Sequence, residues 1–242
     1  MNLQEFQRAC AEAFSQNGLA EPTADQAELL FRLTEIMLET NKSMNLTAIK
    51  DEKGVILKHY VDSLLIAPHI PTGAIVLDVG CGAGFPTFPL AIFRSDLTIV
   101  ALDSTAKRIT YVQNTAQALG LSNVAAIAAR AEELAHSPAH RGHYDVVTAR
   151  AVAALPVLAE LCLPFVKVGG LFLAMKAKQA NEELRDAANA IRTCGGKLLE
   201  SHALSLCGGN EPEPRVLARI SKISATPENY PRHFSKISKK PL

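Results

Sequence analysis

Asp78-Val79-Gly80-Cys81-Gly82-Ala83-Gly84-Phe85-Pro86 decides the reading of this chain. It is a G-x-G-x-G turn that follows an apolar run, AIVLDVG (74–80), and precedes a helical pattern. Glycines lacking Cβ let the backbone turn tightly and approach a ligand, and a following helix offers unpaired N–H donors. A nucleotide-like ligand is expected. The spacing departs from the dinucleotide fingerprint G-x-G-x-x-G, because the third glycine comes one residue early and Phe85 takes the sixth place. Pro86 suits a first helical position, where its missing N–H is harmless.

Outward from the loop, short strands alternate with helices, the pattern of a parallel sheet built from βαβ units. After strand one come LTIVALD (97–103), NVAAIAA (123–129), YDVVTA (144–149) and GLFLAMK (170–176), with helices expected after Pro86 and over 105–119, 154–165 and 179–192. Two more strand candidates, 197–206 and 214–223, bring the sheet to seven, with a last pair that could run antiparallel. Residues 1–71 instead carry apolar positions three and four apart, such as Leu3, Phe6, Cys10 and Phe14, and predict helices alone. Thr23 with Gln26 forms a capping-box spacing for a helix ending near Asn41, and a third helix is expected over 52–67 until Pro68 and Pro71. The expected class is α/β, a Rossmann-like seven-stranded, mostly parallel sheet. Its domains are a helical extension (1–71) and a ligand-binding domain (72–242).

Asp103 closes strand two, 19 residues beyond Gly84, where an acid accepts hydrogen bonds from ribose hydroxyls. Ala131-Glu132 follows strand three at the same edge of the sheet, where Glu132 could meet an adenine amino group or be a solvated acid at a helix start. Together with the loop they favour a nucleoside cofactor.

Composition narrows the setting. The chain has 242 residues, 48% apolar and 20% charged, which excludes a disordered tail protein. It has no apolar run long enough for a membrane span, and residues 1–10 lack the basic head and apolar run of a secretory signal. Five widely spaced cysteines give neither a CxxC metal pair nor a disulfide framework, so a reducing cytoplasm and no metal are expected. Residues 215–242 hold seven Lys or Arg (Arg215, Arg219, Lys222, Arg232, Lys236, Lys239, Lys240) beside the single acid Glu228. Such a stripe suits a polyanionic partner or a solubilising tail.

These residues resemble class I S-adenosylmethionine-dependent methyltransferases, and more narrowly the RsmG (GidB) family, which methylates a guanine N7 of bacterial 16S rRNA. The likeness spans nearly the whole chain. It includes Met44-Asn45-Leu46-Thr47-Ala48-Ile49, His59-Tyr60-Val61-Asp62-Ser63-Leu64, the loop DVGCGAGFP, Leu102-Asp103-Ser104 with Lys107-Arg108, and Arg130-Ala131-Glu132. Further on stand Ala149-Arg150-Ala151-Val152-Ala153, Met175-Lys176, Tyr230-Pro231-Arg232 and a closing Lys240-Pro241-Leu242. Thr87 and Ala177 stand where the family usually shows glycine, and the segment after Arg232 lacks the usual Gly and Pro.

The resemblance implies contacts to S-adenosylmethionine from Gly80, Phe85, Ala131, Glu132 and Arg150, with Asp103 and Ser104 at its ribose; Gly82 and Gly84 complete the loop. It also implies a target in the 530 loop, nucleotide 527 in rRNA numbering, on 16S rRNA or the small ribosomal subunit; a monomer is expected, although the sequence itself does not reveal the oligomeric state. No residue is assigned as a catalyst, and Arg150 is a candidate for positioning cofactor or substrate, or a structural ion pair. Lys176, Arg232, Lys236, Lys239 and Lys240 are candidate RNA contacts. Absence of an NPPY or DPPY tetrapeptide after strand four fits N7 chemistry, as does the spacing of Cys162-Leu163-Pro164, which does not suit a pyrimidine-C5 nucleophile. Cys81 is expected to fill space rather than react, and His59 and Asp62, three apart on one helix face, could hydrogen-bond each other and are expected to serve helix packing rather than catalysis. Phe85, Tyr230 and Phe234 are the few stacking candidates. Alternatives are a methyltransferase for a small molecule or protein, and a non-catalytic cofactor- or RNA-binding module. On the preferred reading, truncating residues 230–242 damages activity on RNA and spares cofactor affinity.

Overall fold

The computed structural model describes residues 1–150, 153–176, 180–209 and 211–242. Ala151, Val152 and Ala177, which figured in the motifs above, lie outside them.

The amino-terminal helices are α1 (Leu3–Gln16) and α2 (Ala24–Met44). Both begin with capping boxes: Asn2 with Glu5, and Thr23 with Gln26 as the spacing predicted. α2 runs three residues past the expected end and stops where Asn45 turns left-handed (φ 50°). The expected helix over 52–67 is not uniform. It opens as α3 (Glu52–Val55), widens into a π-helical stretch (Ile56–Val61), returns to α4 (Asp62–Leu64) and closes with a 3₁₀ turn at Ala67–His69. Wide turns of this kind carry an extra residue and often lie at functional sites.

Strands and helices then alternate: β1 (Ile75–Val79), α5 (Thr87–Phe93), β2 (Thr98–Asp103), α6 (Ala106–Ala118), β3 (Val124–Ala128) and α7 (Ala131–Leu134). They continue as β4 (Tyr144–Arg150), α8 (Leu155–Cys162), β5 (Val166–Lys176), α9 (Ala180–Asp186), α10 (Ala188–Thr193), β6 (Gly196–Leu206), β7 (Glu213–Lys222) and α11 (Phe234–Lys239). The sheet order is β3-β2-β1-β4-β5-β7-β6. The first five strands are parallel, and β7 inserts antiparallel between β5 and β6 (Leu173 opposite Arg219, His202 opposite Leu217). Strand order reverses between β1 and β4, so a crevice opens beyond their carboxyl ends, where open α/β sheets bind ligands.

Alternation along β1 sends side chains to two cores. Val76 joins Phe6, Phe14, Leu30, Tyr60 and Phe88 on the face covered by the amino-terminal helices, α5 and α6. Leu77 joins Val147, Phe172, Leu158, Phe165 and Ile237 on the face covered by α8, α10 and α11. Every residue of α8 is buried, Glu160 included. The short α7 and α11 had no counterpart in the sequence reading, and helix 179–192 divides at Ala187.

Candidate functional site

β1 delivers the chain into the glycine loop, and Gly80 N–H crosses to the Leu102 carbonyl of β2 (2.7 Å). Gly80, Gly82 and Gly84 have φ of 74°, 56° and 86°, a region closed to most side chains. The last two differ in purpose. A Cβ on Gly82 would meet nothing nearer than Gly80 O at 3.9 Å and would project into open space, whereas one on Gly84 would strike the Phe88 ring at 2.2 Å. Gly82 is therefore bare toward a ligand. Gly84 is bare so that α5 can pack against the loop, and it is not among the residues that line the cleft. Pro86 flanks α5 rather than opening it, because the helix starts at Thr87. Thr87 is fully buried and donates to Asp78 Oδ2 (2.7 Å), tying the end of β1 to the start of α5. Burial pushes the Asp78 carboxyl up to about 6, and its Oδ1 meets no partner among the described residues.

Asp103 Oδ2 accepts from Gly82 N–H (3.1 Å) and Oδ1 from Thr105 N–H (2.8 Å), with the Arg108 guanidinium 3.5 Å away. Each oxygen keeps a second lone pair for a ribose hydroxyl. The acid thus holds the loop in shape and still faces the cleft. At the end of β3, Glu132 is buried and receives Arg130 Nε at 2.7 Å. Gly80, Gly82, Phe85, Asp103, Ser104, Ala131, Glu132 and Arg150 all line one cleft of about 620 Å³, within the range of sites for drug-sized ligands. The bare backbone at Gly82, the acid at β2 and the acid after β3 stand in the order that a nucleoside bearing an amino acid through its 5′ position requires, so the residues fit S-adenosylmethionine.

Arg150 ends β4 on the other side of the loop. Its Nη1 donates to Lys58 O (2.9 Å) and Asp62 Oδ2 (3.1 Å), and its Nη2 lies 3.2 Å from His59 Nδ1. A guanidinium has only donors, so Nδ1 accepts and the His59 proton is assigned to Nε2, which faces Thr47 Oγ1 at 2.9 Å. Burial and the neighbouring Arg150 charge push His59 down to about 3 and keep it neutral. The imidazole stacks on Phe85 (centroids 4.3 Å apart, planes 5° apart), and the Arg150 guanidinium lies 5.5 Å from that ring centroid. Asp62 does not pair with His59. It bridges Arg150 and Arg215, the latter at 2.8 Å. Arg150 is thus both ion-paired and pocket-lining. His59, Leu46, Arg108, Arg130 and Phe234 also line the cleft; the sequence had offered Phe234 as a stacking candidate and the other four only within the family motifs, with no cofactor contact assigned to them.

The basic carboxyl-terminal stripe mostly dissolves into internal pairs. Arg232 donates to buried Glu160 through Nε (2.8 Å), Nη2 (2.6 Å) and its backbone N–H (2.8 Å), so it is an anchor and not a free phosphate contact. Lys176 likewise is held by Glu183 (2.8 Å) and the Ala153 carbonyl (2.7 Å), with its side chain 11% exposed. Arg219 pairs with Glu200, and Lys222 is buried against the Leu163 and Cys194 carbonyls and Thr226. Lys236, Lys239 and Lys240 remain exposed. Truncation at residue 230 would also remove Phe234 from the cleft and leave buried Glu160 without Arg232.

Among the described residues, Cys81 is the one thiol that lines the cleft. Cys81 is buried and desolvation pushes its thiol far above the ordinary range. Among the described residues no cluster of three or more His, Cys, Asp or Glu could hold a metal ion, and no helix is long and apolar enough to cross a membrane.

Residues 26–208 match the family model described as GidB, rRNA small subunit methyltransferase G. The chain is 44% identical over 91% of its length to the ribosomal RNA small subunit methyltransferase G of Deinococcus deserti, covering 89% of that protein. It is 43% identical to that of Exiguobacterium sibiricum, across the whole of both chains. Among solved structures, the [4+2]-cyclase SpnF superposes with a TM-score of 0.56 at 14% identity, covering 84% of this chain and 97% of that one. A precorrin-6y C5,15-methyltransferase from Geobacter metallireducens GS-15 gives 0.50 at 16% identity over 68% and 88%. These distant likenesses speak to the fold alone. The two cores around a β1/β4 crevice, the bare turn at Gly82 and the full-length likeness lead to one assignment: the chain belongs to the rRNA small subunit methyltransferase G (GidB) family, S-adenosylmethionine-dependent methyltransferases of the class I fold.

Proposed function

We propose that this protein transfers the methyl group of S-adenosylmethionine to N7 of a guanine in 16S rRNA, in the 530 loop, and that it works as a cytoplasmic monomer. The observation that carries the proposal is the cleft in which Gly82 leaves room for a ligand between Asp103 on one side and Arg150 on the other. The bound cofactor supplies an electrophilic methyl on a sulfonium. Guanine N7 has an in-plane lone pair and no proton, so the protein needs no general base, and alignment of two bound reactants lowers the barrier. Neutral His59 and the buried Cys81 thiol fit that demand. Arg150 can present a donor to guanine O6, the acceptor beside N7, while Asp62 and His59 fix its guanidinium.

Exposed Lys236, Lys239 and Lys240 would take RNA phosphates, and residues 1–71 would serve as the helical extension that flanks the RNA beside the cofactor domain (72–242). The test is transfer of labelled methyl to 16S rRNA and to small subunits lacking the modification, followed by mass mapping of the nucleotide. Incorporation at a guanine N7 supports the reading. Incorporation at another atom, or none, refutes it.

A further inference from the structure

The carboxyl-terminal segment does more than carry charge. It is fastened at several points to the sheet domain: the Arg141 fork donates to the carbonyls of Thr226, Pro227 and Tyr230 (2.9 to 3.0 Å), His136 Nε2 meets Pro231 O (2.9 Å), and Arg232 grips Glu160. Pro231 and Ile237 are buried on either side. Between these anchors Phe234 is left 36% exposed, and it lines the cleft. Its ring lies 5.6 Å from the Arg130 guanidinium, which Glu132 in turn orients. Arg130 and Glu132 follow β3, two strands away from the glycine loop. A ligand that spans the carboxyl ends from β1, past Asp103 of β2, to β3 therefore ends its reach beneath Phe234.

We propose that Phe234 is a cofactor-binding residue that stacks on the purine of S-adenosylmethionine, and that α11 couples cofactor binding to RNA binding because Lys236 and Lys239 ride on the same six-residue helix. This rests on the reading of the cleft as the cofactor site. A partly exposed apolar ring at a polar cleft has a purine as its natural partner, and the Arg130 guanidinium lies against the same ring. RNA phosphates gripping α11 would restrain Phe234 at the cleft. By linkage, RNA then tightens cofactor binding by the same factor that cofactor tightens RNA binding.

The test is calorimetry on the full-length protein with S-adenosylhomocysteine, with adenosine, and with a 530-loop RNA fragment. For Phe234→Ala, the dissociation constants of S-adenosylhomocysteine and adenosine should rise about tenfold, in keeping with loss of one aromatic–base stack. Phe234→Trp should restore them. Phe234→Leu, which keeps the bulk without the π face, should weaken both at least about threefold and serves if the alanine variant folds poorly. In the wild type the RNA fragment should tighten S-adenosylhomocysteine, and this effect should vanish in the alanine and leucine variants. Unchanged nucleoside affinity in both variants, or a loss confined to RNA, overturns the assignment of Phe234. Equal S-adenosylhomocysteine affinity with and without RNA in the wild type overturns the coupling. A wild-type protein that binds no S-adenosylhomocysteine refutes the reading of the cleft itself, a result distinct from the others.

Discussion

Replacing Arg232 with alanine separates two roles for one residue. If the guanidinium were an RNA contact, its loss would lower RNA affinity, shrink the salt dependence by about one phosphate contact, and leave stability nearly untouched. The structure demands the opposite. Glu160 has no solvent exposure and lies in a helix whose other residues are apolar, and the Arg232 side chain supplies two of the three donors within 2.6 to 2.8 Å of its carboxylate. Removing one partner of a buried pair leaves an uncompensated charge and costs about 3–5 kcal/mol. In a domain of this size that corresponds to a melting temperature lower by roughly 6–20 °C. Urea titration followed by circular dichroism measures it, with Glu160→Leu/Arg232→Met as the companion variant. Because both charges are gone there, most of the loss should be recovered. A loss below about 1 kcal/mol in Arg232→Ala, or a double variant no more stable than the single one, would falsify the anchoring role.

Two glycines of the loop should behave differently. Gly84→Ala forces a Cβ to 2.2 Å from the Phe88 ring at positive φ and should destabilise the fold by more than about 2 kcal/mol, whereas Gly82→Ala should cost about 1 kcal/mol and chiefly weaken S-adenosylhomocysteine binding. Thermal melts paired with calorimetry distinguish them; equal stability of the two variants contradicts the assignment. Asp103→Ala should weaken the cofactor by roughly 1–3 kcal/mol and also loosen the loop, since the carboxylate holds Gly82 and Thr105, so amide exchange at both should accelerate. Lys222 offers a pH test. Burial lowers its ammonium to about 8, below its ordinary value, so the unfolded chain binds the proton more tightly and the protein gains stability as pH rises from about 8 to 10.5. Lys222→Met should lack that gain, on the order of 2–3 kcal/mol; parallel stability curves for the two proteins would contradict it.

The sheet was readable because its information is local. Period-two strands, the glycine turn and the acid after β2 each lie within a few residues, and the structure gathers Gly80, Gly82, Phe85, Asp103, Ser104, Ala131, Glu132 and Arg150 around one cleft. Charge was misread because its partners are remote. Arg232 meets Glu160 across 72 positions and Arg215 meets Asp62 across 153, and no window of sequence contains both members. A single signal was available: Glu160 is the lone charge in LPVLAELC, and an acid on such a helix calls for a buried cation. The short α11 escaped for a related reason, since six residues form a stable helix only when tertiary anchors hold them.

The wide turn at Ile56–Val61 sets a constraint on insertions and deletions. A wide turn already absorbs one extra residue, so lengthening it by another would swing everything beyond the insertion by about 100°. Asp62 would then miss both arginines and His59 would leave Phe85, although every side chain named in the cleft would still be encoded. Chain length across six positions, and not only their identity, is therefore something to hold fixed when this scaffold is re-engineered or its sequence is threaded onto another member.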